Sequence, residues 1–195
     1  YNTAFIIATI ILDSIPNTDI DDSDGSTGMI ADFCIKIIHN ILNKVTDKKN
    51  IILKDILTYI INEVKTAHLY NYGIDIKELL KYFIDNNLYL NDIETSLETA
   101  LTISKDKSYF YSRKYYIEYL IQIYKLNNKE DKIISLLEEF SFDRNICIMY
   151  VDELIKQNKI DTAIKVLNDK LDIENRESRF YAEKLSKILL DNNKI

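Results

Sequence analysis

The sequence predicts an all-α chain, a right-handed α-α superhelix (solenoid) of antiparallel helical hairpins. Three observations predict it. Tyr119, Tyr150 and Tyr181 stand 31 residues apart (150−119 and 181−150), and a period of that size marks hairpins that bury their apolar faces only by stacking. Apolar residues recur at i, i+3, i+4 and i+7 through most of the chain, the spacing of one helix face. With 3 Gly and 1 Pro in 195 residues, the chain lacks the residues that sheets and tight hairpins need at positive φ.

In chain order, the first helix is expected over about Thr3 to Ser14, ended by Ile15-Pro16 because the residue before proline is pushed out of the α region. A polar loop, NTDIDDSDGSTG, fills 17–28. A second helix from about Thr27 to Val45 carries the stripe Ile30, Phe33, Cys34, Ile37, Ile38, Ile41 and Leu42. The third, from Ile51 to Tyr70, places Ile52, Ile56, Tyr59, Ile60 and Val64 on one face before Tyr72-Gly73 breaks it. Asp75 is the expected cap of a short fourth helix with Ile76, Leu79, Leu80 and Phe83. After the Asp85-Asn86-Asn87 turn, a fifth is built on Ile93, Leu97, Ala100, Leu101 and Ile103.

From Ser108 the repeats proper begin. An A helix runs to about Leu126, a B helix from Lys129 to Phe140, and a second A helix from Asp143 to Gln157. A second B helix covers Ile160 to Asp172, and a last A helix runs from about Asn175 to Leu190. The 31-residue shift matches Leu120 to Val151, Ile123 to Leu154, Asn127 to Asn158, Ile133 to Ile164 and Leu136 to Leu167. Connections this short force antiparallel neighbours. Their turn chemistry is asparagine, which tolerates the left-handed conformation at a helix end. Two regions follow: 1–107, irregular hairpins with the acidic loop 17–28, and 108–195, the repeats, continuous as one solenoid.

The net charge of −6 disfavours a phosphate-binding groove. Cys34 and Cys147 are isolated, without metal-ligand spacing, and read as core residues. The longest apolar run, Ala4 to Leu12, falls short of the ~20 residues a membrane helix needs, so a cytoplasmic chain without membrane contact is expected. It opens at Tyr1 on an apolar run, as a piece cut from a longer polypeptide does.

Chemistry-bearing residues are few. Asp19, Asp21, Asp22 and Asp24 lie close together and offer oxygen ligands to Ca²⁺ or Mg²⁺. An EF-hand template fails, because Gly25 at its sixth position puts Ile20 first and Ala31 twelfth. The competing reading has these aspartates, Asp21, Asp22 and Asp24 foremost, capping the helix that starts near Thr27 and facing its positive end. His39 and His68 fall on different helices with no ligand motif. No nucleophile-base arrangement or phosphate-cradling glycine loop can be assembled, so no catalytic residue, cofactor or metal is expected. Tyr109, Phe110, Tyr111, Tyr115, Tyr116, Tyr119 and Tyr124 crowd one helix beside Arg113 and Lys114. Packing between hairpins is the first reading, a protein-binding aromatic patch the second and single-stranded nucleic acid the third.

Two resemblances rest on these stretches. The segments EYLIQIYKLNNKEDKIISLL and MYVDELIKQNKIDTAIKVLN resemble tetratricopeptide-type repeats, which implies a tetratricopeptide-like fold and a protein or peptide partner. Asp21-Asp22-Ser23-Asp24-Gly25 before a long helix, with Tyr70-Asn71-Tyr72-Gly73 after the next, is similar to the helical region that follows the finger in SWIM zinc finger proteins. That finger needs Cys-x-Cys and Cys-x-His, which this chain lacks. The resemblance therefore implies a finger upstream, and its contacts fall on no residue here. The expected function is a non-enzymatic protein-protein interaction module. The alternative is a regulatory or scaffold domain of a nucleic-acid-associated zinc finger protein.

Overall fold

The computed structural model describes residues 1–17, 25–66, 76–103, 113–172 and 178–192. Every regular element among them is helical: α1 (Asn2–Ser14), a 3₁₀ turn (Ile15–Asn17), α2 (Ser26–Lys44), α3 (Ile51–Thr66), α4 (Lys77–Asp85) and α5 (Leu90–Ile103), then α6 (Arg113–Leu126), α7 (Asp131–Glu139), α8 (Arg144–Lys156), α9 (Ile160–Leu171) and α10 (Ser178–Asp191). The chain divides into two compact units, Tyr1–Ile123 and Tyr124–Ile195. None of the described helices is long and apolar enough to cross a membrane.

In the first unit α1 packs on α2, and α3 packs on both α4 and α5. Its core is aliphatic: Leu12, Ile38, Leu42, Leu53, Ile56, Ile60, Leu79, Ile93 and Leu97 are all fully buried, together with Phe83. Each such side chain contributes about 1.5–3 kcal/mol by leaving water. In the second unit α7 packs on α8, α8 on α9, and α9 on α10, around Ile146, Cys147, Val151, Ala163 and Leu167.

One helix end departs from the sequence reading. Proline stops α1, but Ile15 keeps α-helical angles (φ −53°, ψ −50°) instead of being pushed out of that region. The stop comes from the missing Pro16 N–H. The Ile15 N–H reaches both Ile11 O and Leu12 O, tightening the chain into the 3₁₀ turn, while Asn17 Nδ2 donates to Asp13 O at 2.9 Å. At the start of α2 the cap position is Gly25, at φ 74°, with no side chain to cap with. Glycine is the residue for which this left-handed conformation is least costly. Asp143 caps α8, its Oδ1 accepting from the N–H groups of Asn145 (2.9 Å) and Ile146 (3.4 Å).

Three helices end in the same motif. Asn87, Asn128 and Asn158 adopt φ of 54°, 54° and 58° after α4, α6 and α8. In each case the asparagine N–H donates three residues back, to Ile84 O, Lys125 O and Ile155 O. The next N–H donates five back, to Phe83 O, Tyr124 O and Leu154 O, each at 2.8 Å. This is the Schellman arrangement with asparagine in place of glycine. The residues at 11, 8 and 4 positions before that asparagine are buried in all three helices: Ile76, Leu79 and Phe83; Ile117, Leu120 and Tyr124; Cys147, Tyr150 and Leu154.

The caps of α6 and α8 are 30 residues apart (158−128), against 31 for Tyr119 and Tyr150. Asn158 thus answers to Asn128 and not to Asn127. Ile133 answers to Ala163 and Leu137 to Leu167, all four buried. Tyr119 stands nine positions before its cap (128−119) and Tyr150 eight (158−150), which separates them by about 100° around the helix. Tyr150 is buried, Tyr119 is half-buried, and Tyr181 on α10 is 2% exposed. The recurring tyrosine is therefore one residue out of structural register at its first two occurrences.

Candidate interaction surface

The acidic candidates Asp21, Asp22 and Asp24, with Asp19, lie outside the described residues, as do His68, Tyr109, Phe110 and Tyr111. His39 is half-buried on α2, and its Nδ1 lies 3.2 Å from Asn43 Nδ2 on the same helix. Cys34 and Cys147 are buried, one in each unit, and burial raises the Cys34 thiol pKa. Among the described residues no group of three or more His, Cys, Asp or Glu side chains could hold a metal ion.

The aromatic run on α6 is divided by the fold. Tyr116 and Tyr124 are core residues, while Tyr115 is 41% exposed and lies beneath Lys77 Nζ, 3.8 Å from the ring centroid. The Tyr119 hydroxyl donates to Lys77 O at 3.3 Å. The two cations that the sequence sets beside these tyrosines are engaged within the fold. Arg113 is buried at 2% exposure, and Lys114 pairs with Glu118 one turn on, at 3.7 Å.

A cleft of about 350 Å³ lies between α1 and α3, lined by Asp13, Tyr59, Asn62, Glu63 and Thr66. The Tyr59 hydroxyl donates to Asp13 Oδ1 at 2.9 Å, and the Tyr59 ring meets Phe5 edge-on. Burial, and then the Asp13 hydrogen bond, push the Tyr59 phenol far above its ordinary pKa. The phenol is held as a neutral donor. Among the described residues the lining offers two carboxylates, two hydroxyls and one amide.

Sequence periodicity missed the exposed apolar side chains. Ile30 and Phe33, placed in the α2 stripe, are 50% and 64% exposed, and Ile103 is 58% exposed. On α1, Ile6, Ile7 and Ile10 face outward opposite Phe5, Ala8 and Leu12. The available signal was excess: Ile6-Ile7 and Ile10-Ile11 supply more apolar residues than one stripe can bury. In the second unit, Phe142 and Phe180 are each about half exposed. The Arg144 guanidinium stacks on Phe180, 4.5 Å from its centroid, and Phe142 leans on the buried Phe140 at 6.0 Å. No family model matches the chain, and neither the curated proteins nor the solved structures contain a match to it.

Proposed function

We propose that this chain is a non-enzymatic module of helical hairpins that binds another protein, and that Phe142, Arg144 and Phe180 seat an apolar anchor residue of that partner. The observation that carries this reading is the exposure of two phenylalanines with an arginine stacked between α8 and α10. Aromatic residues and arginine are the types enriched where a few contacts supply most of the binding energy. The finer fold reading, a right-handed solenoid of tetratricopeptide-like hairpins, belongs to the same proposal. Its support is the asparagine cap and buried stripe that recur in three helices.

Peptide-display selection on the purified chain tests the proposal. The expected result is enrichment of sequences with one apolar anchor, whose affinity falls at least tenfold in the double variant Phe142→Ala/Phe180→Ala, about 1.4 kcal/mol. Both side chains are half exposed, so the thermal transition of that variant should stay close to the parent's. No enrichment, or binding indifferent to both changes, overturns the proposal.

A further inference from the structure

We propose that the outward face of the α1–α2 hairpin is an isologous interface for a second copy of this chain. Ile6, Ile7 and Ile10 on α1, with Met29, Ile30 and Phe33 on α2, are each half or more exposed. The two helices pack against each other. Six such side chains present on the order of 600 Å² of apolar surface, already near the upper end for a monomer's largest patch. With a polar rim this approaches the roughly 800 Å² that each partner contributes to a standard stable interface.

Charge selects the occupant. The chain carries a net charge of −6, so most self-contacts bring like charges together. On this face α1 holds a single charged residue, Asp13 near its end. Along α2 the exposed residues Met29, Asp32, Phe33, Lys36 and Asn40 follow at helical spacing on one face. Asp32 and Lys36 are of opposite sign, and neither has an ion-pair partner among the described residues. In a two-fold contact residue i meets j while j meets i. An axis beside position 34, midway between 32 and 36, sets Asp32 of each copy opposite Lys36 of the other, with the two Phe33 rings near the axis. A lipid surface fits less well, since helices that lie on membranes carry Lys and Arg along the polar face and α1 has neither.

Sedimentation equilibrium of the full chain across a concentration series tests the pairing. The expected result is a species of twice the 22.9 kDa chain mass, which Phe33→Glu converts to monomer with an unchanged helical spectrum. Asp32→Lys alone or Lys36→Asp alone should each weaken dimerisation at least tenfold, and the two combined should restore it. A monomer throughout the series, a dimer indifferent to Phe33→Glu, or a dimer that the single charge reversals leave intact each overturns the proposal.

Discussion

At the scale of single residues, asparagine does in this chain what glycine does in most helical proteins. Asn87, Asn128 and Asn158 hold left-handed φ values that cost a side chain with a Cβ about 1–2 kcal/mol, less for asparagine, whose short polar side chain finds local hydrogen bonds. Asn158→Ala is therefore expected to lose about 1 kcal/mol, whereas Asn158→Gly should be neutral or slightly stabilising. Urea unfolding of both variants checks this, and equal losses would show that the backbone angle is not the cause. These turns were legible in the sequence because the constraint is local. Arg113 was not legible: a cation beside exposed tyrosines and a cation folded into the interior look alike until packing decides. Nor was the left-handed backbone of Gly25 at the start of α2, a conformation that the neighbouring residue types do not announce.

At the scale of elements, the boundaries read from periodicity and from Pro, Gly and Asn lie close to those observed for the described helices. The expected A helix ending near Leu126 ends there, and the helix from Ile160 ends at Leu171. Register was harder. Identity matching aligned tyrosine with tyrosine at 31 residues, yet the buried positions follow distance from the cap, and Asn128 and Asn158 stand 30 apart (158−128). Face assignment failed where apolar residues were too many: on α1 and α2 a stripe wide enough to include Ile30 and Phe33 exceeds what the neighbouring helices cover. The cap-centred stripe yields a prediction. Leu120, fully buried eight positions before Asn128, should cost about 2–5 kcal/mol when changed to alanine, as large-to-small core changes do. Tyr119, one position earlier and half-buried, should cost clearly less when likewise changed to alanine. Chemical unfolding of the two variants side by side separates the registers, since a 31-residue register would make Tyr119 the core position.

At the scale of the whole molecule, the chain is an acidic helical protein, and the Tyr59 phenol is one source of its response to high pH. Tyr59 is partly buried and donates to Asp13, which raises its folded-state pKa above the unfolded value near 10. Its contribution to stability is fully present below about pH 10. Above that, the unfolded chain gives up the proton that the folded chain keeps, so stability falls as pH rises. Tyr59→Phe should flatten the alkaline limb of the stability profile relative to the parent, and an unchanged limb would remove Tyr59 as its source. The function proposed for the whole chain rests on partner contact at the second unit's exposed aromatics. Amide chemical-shift mapping of the isotopically labelled chain with a display-selected peptide tests it most directly. The account predicts shifts concentrated at residues 140–146 and 178–184, around Phe142, Arg144 and Phe180. Shifts centred instead on the cleft of Asp13, Tyr59 and Glu63, or none at saturating peptide, would contradict it.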